Sequence, residues 1–226
     1  MEMQLLRRVT LFSGLKEEEL EALAKVTARK AFHKHSVILL AEEEGNCLFI
    51  IQRGRVKVSI LSEDGREMVL TILGDGEFFG EMSLLDGLPR SATVIALEDT
   101  EALMLRREDL LRLIERTPQI AIKLMAELTI RLRKTDQKIE SLALLDVAGR
   151  IASAVLQLAA DEGEETPEGL VIYNHPTQQL LANMTGTTRE TVSRVLKRFC
   201  KEGYMASKGR NWIILREEEL RRDFLF

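Results

Sequence analysis

The chain has 226 residues, of which 45% are hydrophobic and 30% charged, and its formal net charge is -4. This balance is typical of a soluble globular protein, and no apolar run approaches the roughly 18 residues of a membrane span. Cys47 and Cys200 lie too far apart for a metal or redox motif and are too few for a disulfide scaffold. We therefore expect a cytoplasmic protein of two domains, with no secretory signal and no metal site.

Residues 34–105 have the pattern of short strands separated by turns. Val56, Val58 and Ile60 alternate with polar residues, which predicts a half-buried strand. Asp64-Gly65 follows this run and is typical of a hairpin turn. Short strands at such regular spacing predict an antiparallel barrel or jelly roll.

A long helix is predicted next, with Thr117 as its N-cap and Pro118 at its first position. Side chains then recur at alternating steps of four and three residues, at Ala121, Met125, Leu128, Leu132, Thr135, Ile139 and Leu142. This heptad seam predicts that two copies of the helix pair in a homodimer. The alternative is a helix that packs on its own domain. The hydroxyl of Thr135 marks either a register device or a place where something polar binds.

The C-terminal region begins near Asp146 with a predicted amphipathic helix, Val147–Ala159, and an acidic loop, Asp161–Gly169. Two short helices follow. A small hairpin is predicted at the end, where Tyr204–Ser207 and Trp212–Leu215 flank a turn that contains a glycine.

The two short helices have the spacing of a helix-turn-helix. Ala182 supplies the small residue between the helices, Gly186 the turn, and Val192 and Val195 the packing face. The outward side chains of the second helix are then Thr188, Arg189, Glu190, Arg194 and Lys197. Residues 186–216 contain eight basic and two acidic residues, a local charge of +6. A basic patch beside such a motif favours DNA binding over a merely solvated face.

A second motif lies in Gly80–Thr93. A short helix that starts near Gly80–Met82 would direct free backbone N–H groups at an anion. Arg90 and Ser91 return to the same place, and the planar fork of arginine suits a phosphate. Glu81 only accepts hydrogen bonds, so it should face a donor such as a sugar hydroxyl. The segment predicts a sugar-phosphate site, and the alternative is a structural Arg–Glu pair.

The segment resembles the phosphate-binding cassette of cyclic-nucleotide-binding domains in its Phe-Gly-Glu opening, its Leu-Leu and its closing Arg-Ser-Ala-Thr. With the hinge stretch Leu142–Arg150 and the stretch Thr188–Arg194, nearly the whole chain resembles the cyclic-AMP receptor, or Crp/Fnr, family of bacterial transcription regulators. The resemblance implies an α+β chain. Its parts are an N-terminal antiparallel, jelly-roll-like β-roll (1–117), a dimerisation helix (118–145) and a winged helix-turn-helix (146–226).

The same resemblance implies the ligand contacts. Glu81 would bind the ribose 2′-hydroxyl, Arg90 and Ser91 the cyclic phosphate, with Gly80 and Met82 beside them. Thr135 would touch the adenine. Asp136 departs from the family, which has serine there. Its carboxylate either accepts a hydrogen bond from the adenine N6 amino group or selects another nucleotide.

The resemblance also implies the DNA contacts, with Arg189, Glu190 and Arg194 reading a TGTGA-like half-site and Thr188 and Lys197 on phosphates. The expected protein is a homodimeric transcription regulator, activated by cyclic AMP, that binds palindromic DNA and RNA polymerase. No cofactor and no membrane are expected.

Three alternatives stay open. The same scaffold would respond to cyclic di-GMP, or act without a ligand. A module of another class would bind a cyclic nucleotide without acting on DNA. An enzyme is disfavoured because no metal cluster, nucleophile–base pair or second acid accompanies Glu81 and Arg90.

Overall fold

The structure of the protein is a computed structural model that describes residue 6, residues 9–12 and residues 15–225. The chain forms two compact units, Met1–Arg133 and Lys134–Phe226. Each unit has its own apolar core. Among the described residues, no helix is both long and apolar enough to cross a membrane.

The first unit is built on two four-stranded antiparallel sheets, in the orders β1-β8-β3-β6 and β2-β7-β4-β5. The strands are β1 (Ala28–Phe32), β2 (Val37–Leu39), β3 (Cys47–Arg53), β4 (Val56–Leu61), β5 (Glu67–Leu73), β6 (Phe78–Phe79), β7 (Thr93–Ala96) and β8 (Thr100–Arg106). A shared core that includes Phe49, Val56 and Phe79 joins the two sheets. The predicted antiparallel β-roll is confirmed.

The part of this unit that the structure describes includes the short helices α1 (Glu17–Val26), α2 (Glu81–Asp86) and α3 (Arg107–Arg116), and a 3₁₀ turn spans Thr10–Phe12. Helix α2 follows β6 directly, so the predicted cassette opens at the end of a buried strand. Leu84 of α2 is buried in the same core as Leu48 of β3. This packing fixes the cassette against the sheet.

The predicted alternation in β4 is only partly right. Val56 is buried, but Ile60 is 43% exposed and Ser59 is buried instead. The pairing of β4 with β5 shifts register between Val58 and Ser59. The extra residue at this shift is Leu70 of β5, whereas β4 pairs with β7 without a shift, so the bulge does not account for the burial of Ser59.

Helix α4 (Gln119–Leu144) starts just after Pro118, slightly later than predicted. Thr117 instead caps α3, because its N–H donates to the Leu113 carbonyl at 2.8 Å. The side chains that α4 buries are Ile120 and Leu124. In the predicted seam, Met125, Leu132 and Ile139 are 58%, 61% and 59% exposed. Most of the seam therefore does not pack on its own chain.

The second unit contains α5 (Val147–Glu162), α6 (Gln178–Thr185), α7 (Arg189–Lys201) and α8 (Glu217–Leu225). Its sheet has the order β11-β12-β10-β9, with β9 (Glu164–Thr166), β10 (Gly169–Ile172), β11 (Met205–Lys208) and β12 (Asn211–Ile214). The expectation of a plain loop at Asp161–Gly169 is wrong. The end of α5 and the strand β9 occupy most of that segment, because β9 pairs with β10.

Candidate functional site

Arg90 is the centre of the predicted cassette and is buried, with 6% of its surface exposed. Its Nη1 donates to the Gly80 carbonyl at 2.6 Å and to the Ser83 hydroxyl at 2.7 Å. Its Nη2 donates to the Cys47 carbonyl at 2.8 Å. The guanidinium therefore reaches the start of α2, as predicted, and three protein acceptors already hold it there.

Gly45 lies against the guanidinium of Arg90. A Cβ atom on Gly45 would lie 2.2 Å from Nε of Arg90 and 2.6 Å from Oγ of Ser83. A side chain here would have to displace the guanidinium of Arg90 and the hydroxyl of Ser83, so glycine permits this close approach. The loop before β3 is thus one wall of the arginine site.

Glu81 is also buried, and its partner lies on the long helix. Arg131 of α4 donates from Nη1 to the Glu81 carboxylate at 3.2 Å and from Nη2 to the Phe78 carbonyl at 2.6 Å. The guanidinium also lies 4.4 Å from the centroid of the Phe78 ring, a cation–π contact. A buried carboxylate needs such partners, because an unpaired charge away from water is costly.

The rest of the cassette is exposed. Met82 is 51% exposed, and the Ser91 hydroxyl lies 3.4 Å from its sulfur. The structure therefore brings Gly80, Glu81, Met82, Arg90 and Ser91 together around the first turn of α2. Thr135 and Asp136 are exposed residues of α4 that belong to the second unit. Their predicted part in a ligand site stays a prediction.

The helix-turn-helix consists of α6, a turn at Gly186 and α7. Gly186 has a φ of 62°, a left-handed conformation that glycine adopts without strain. Ala182 and Val192 are fully buried, and Val195 is 9% exposed, as the packing pattern predicted. Thr188 is the N-cap of α7, and its hydroxyl accepts a hydrogen bond from the Thr191 N–H at 3.3 Å.

The side chains predicted to face DNA are all exposed on α7 or at its N-cap: Thr188, Arg189, Glu190, Arg194 and Lys197. Thr191 was not predicted as a functional residue. Its hydroxyl lies 3.1 Å from that of Thr188 and 3.5 Å from Nη2 of Arg194. Thr191 thus contacts both the N-cap residue and the arginine that is predicted to read bases.

Three of the eight basic residues in the predicted patch have acidic partners within the chain. Arg198 pairs with Glu202, Lys208 with Glu168 and Arg216 with Glu219. Among the described residues, no acidic partner is found for Arg189, Arg194, Lys197, Lys201 and Arg210. The basic surface is therefore smaller than the composition suggests and includes the outer face of α7.

The predicted wing is confirmed as the hairpin of β11 and β12. The Trp212 ring stacks on His175, with centroids 4.1 Å apart and planes 7° from parallel. The His175 N–H also donates to the Arg210 carbonyl at 3.0 Å. The segment before α6 is thus joined to the wing, so the wing has a fixed place beside the helix-turn-helix.

Sequence reasoning missed several residues of the cassette. Gly45, Cys47, Ser83 and Arg131 all contact the guanidinium of Arg90 or the carboxylate of Glu81. Ser83 lies inside the quoted motif and was the one signal available. The other three come from distant segments, and no local pattern indicates them.

A β-roll that holds a buried arginine and a buried glutamate in one short segment, followed by a winged helix-turn-helix, defines a DNA-binding regulator with a small-molecule sensor domain. Comparison with known families agrees. Residues 29–117 match the cyclic nucleotide-binding domain, and residues 149–223 match the Crp-like helix-turn-helix domain.

Curated relatives extend the match to almost the full chain. The CRP-like cAMP-activated global transcriptional regulator of Mycobacterium tuberculosis is 32% identical over 97% of this chain and 98% of its own length. The cyclic AMP receptor protein of Thermus thermophilus is 37% identical over 96% of each chain. The chain therefore belongs to the Crp/Fnr family of transcription regulators, whose members are not enzymes.

A solved structure with the same fold belongs to a protein named for a different effector. The c-di-GMP responsive global regulator CLP of Xanthomonas campestris has a TM-score of 0.75 and is 25% identical, over 88% of this chain and 99% of that chain. Proteins with this fold thus respond to more than one cyclic nucleotide, and family membership alone does not name the ligand.

Proposed function

We propose that the protein is a homodimeric transcription regulator that cyclic AMP activates for binding to palindromic DNA with TGTGA-like half-sites. The main observation behind this proposal is the cassette, in which the buried side chains of Arg90 and Glu81 lie at the same turn of α2. A cation and an anion side by side suit a ligand that offers a phosphate and a hydroxyl donor together. Two curated relatives named for cyclic AMP support this choice.

Homodimer formation is proposed through the exposed seam of α4. Met125, Leu132 and Ile139 lie seven residues apart in sequence, the period of a heptad position. Water-exposed apolar side chains at this spacing are stabilised when a second helix covers them. Within this proposal, residues 1–117 form the sensor, 118–145 the dimer helix and 146–226 the DNA-binding domain.

For DNA, two recognition helices in a symmetric dimer would enter successive major grooves about 34 Å apart. Arg189 and Arg194 would grip guanines, and Glu190 would accept from a cytosine amino group. Thr188 and Lys197 would contact phosphates. RNA polymerase is the further partner that we expect at a promoter.

The first experiment is calorimetric titration of the purified protein with cyclic AMP, cyclic GMP and cyclic di-GMP. Binding of cyclic AMP at about one site per chain, lost in Arg90→Lys, supports the proposal. Lysine keeps the charge but lacks the planar fork. The matched control is Arg66→Lys, at an exposed arginine of the β4–β5 hairpin. If only cyclic di-GMP binds, the effector is cyclic di-GMP and not cyclic AMP. If none of the three nucleotides binds, the protein acts without a ligand.

Asp136 is tested with the cyclic phosphate of purine riboside, which lacks the 6-amino group of adenine. If the Asp136 carboxylate accepts from that group, removal of the amino group weakens binding in the wild type and not in Asp136→Ser. An equal loss in both proteins contradicts this contact. Binding of the same analogue to Thr135→Val then tests the proposed contact of Thr135 with the adenine in the same way.

A further inference from the structure

The C-terminal helix α8 packs against the beginning of α5. Leu220 is fully buried in the core of the second unit. A Cβ atom on Gly149, in the first turn of α5, would lie 2.6 Å from the Phe224 carbonyl oxygen. The N–H of the same Gly149 donates to the N-cap Asp146 at 2.7 Å. The end of α8 therefore lies directly against the turn in which α5 begins.

The same end of α8 also contacts the recognition helix α7. The Phe224 ring lies edge-on to Phe199 at 4.8 Å and to Tyr204 at 5.6 Å between centroids. Phe199 is a fully buried residue of α7. The Arg198 guanidinium lies 5.2 Å from the centroid of the Phe224 ring. One side chain thus covers two successive residues near the C-terminal end of α7.

Arg216 fixes the other end of α8. Its Nε donates to the Gly203 carbonyl at 2.8 Å, and its Nη2 donates to the Glu202 carbonyl. Its Nη1 donates to Glu219, in the first turn of α8, at 2.7 Å. Glu202 is the C-cap of α7 and Gly203 follows it, and a cation at the C-terminal end of a helix is favoured by the helix dipole. Arg216 therefore caps α7 and ties the cap to α8.

An exposed hydrogen bond also joins α8 to the residues that follow α7. The Tyr204 hydroxyl donates to the Asp223 carboxylate at 2.7 Å, and this bond holds the pKa of Asp223 below its usual range. Tyr204 lies between α7 and β11, so it ties α8 to the connection into the wing.

We propose that α8 is a brace that holds the recognition helix at one orientation to α5, with Phe224 and Arg216 as its positioning residues. Base reading depends on the exact placement of Arg189 and Arg194 at the N-terminal half of α7, whereas phosphate contacts tolerate small movements. Loosening the C-terminal end of α7 tilts its N-terminal half. The brace therefore acts on specific DNA binding more than on non-specific binding.

The test compares Phe224→Ala with wild type on two duplexes of equal length: one that the wild type selects from a random pool, and one of random sequence. The expected result is a fall of about tenfold in affinity for the selected duplex, or roughly 1.4 kcal/mol, and of less than about twofold for the random duplex. Glu218→Ala, an exposed position of the same helix, is the control and should match the wild type.

Two results overturn the brace. An equal fall on both duplexes means that Phe224 only stabilises the fold, and no fall on either means that α8 is dispensable. Trp212 is the one tryptophan of the chain, so its fluorescence checks that the variant is folded. If Phe224→Ala does not fold, Phe224→Leu and Arg216→Lys give the same comparison. Hydrogen exchange then adds a direct measurement. If α8 is a brace, the substitution should increase the exchange rates of amides 196–201 more than those of the α5 amides.

Discussion

Glu81 provides the sharpest test of how the cassette binds a nucleotide, because its carboxylate is buried and has one described cationic partner at hydrogen-bond distance. Glu81→Gln keeps the shape and can still accept from Arg131, but it removes the negative charge. The proposed partner in the ligand is the ribose 2′-hydroxyl, so the matched ligand is 2′-deoxy cyclic AMP. Protein and ligand changes then form a double-mutant cycle.

The magnitude follows from the type of hydrogen bond. A bond to a charged group contributes about 1.5–3 kcal/mol, and a neutral one about 0.5–1.5 kcal/mol. In the wild type, removal of the 2′-hydroxyl should therefore weaken binding by roughly 10- to 150-fold. In Glu81→Gln, the same removal should weaken binding by only about 2- to 13-fold. The expected result is that the ratio of the affinities for cyclic AMP and 2′-deoxy cyclic AMP is smaller in Glu81→Gln than in the wild type.

The assay is competition against a fluorescent cyclic nucleotide, with both ligands on both proteins. Glu63→Gln is the control, because Glu63 is exposed in the β4–β5 hairpin. It should leave both affinities and their ratio unchanged. If Glu81→Gln weakens both ligands by one factor and keeps the wild-type ratio, Glu81 does not contact the 2′-hydroxyl, and the reasoning from its burial is wrong.

Three further changes test the other parts of the chain. Arg194→Ala should cost about 1–3 kcal/mol on the selected duplex and relax one base position, whereas uniform weakening on all sequences would make Arg194 a phosphate contact. Leu132→Asp places a charge in the exposed seam of α4 and should give monomers in sedimentation velocity. The control Arg133→Asp lies off the seam and should remain dimeric. A dimeric Leu132→Asp would contradict the proposal that the seam forms the dimer interface. Burial lowers the pKa of Lys138 from 10.5 to about 8, so the unfolded chain holds this proton more tightly. The free energy of unfolding should then rise between pH 8 and about pH 10.5, by at most roughly 3 kcal/mol, and Lys138→Met should remove that rise in urea titrations; an equal rise in the variant assigns it to other groups.

The features that sequence revealed depend on neighbours within about one helical turn or one hairpin. Gly186, Val192 and Val195 were placed correctly because their spacing follows directly from the geometry of two packed helices. Arg90 and Ser91 were placed beside Gly80 because the motif between them is short. Local spacing carries this information without knowledge of the rest of the chain.

The features that sequence did not reveal depend on contacts between distant segments. Cys47 precedes Arg90 by 43 residues and Arg131 follows Glu81 by 50, so each pair meets only after the sheets have formed. Arg216 was counted as part of a DNA-facing patch, yet it caps α7 because the chain returns through β12 to the end of that helix. Charge counts do not distinguish these two uses of arginine.

The internal bonds of the cassette bear on how a ligand would act. A ligand shifts a conformational equilibrium only by the free energy with which it binds one state better than the other. Arg90 is held by acceptors within its own unit, so a phosphate bound there contributes affinity on a prearranged cation. Glu81 instead pairs with Arg131 of α4, three residues before the second unit begins. A ligand hydroxyl that donates to the Glu81 carboxylate competes with Arg131 for it. We therefore expect contacts of the sugar, more than those of the phosphate, to change the conformation of α4.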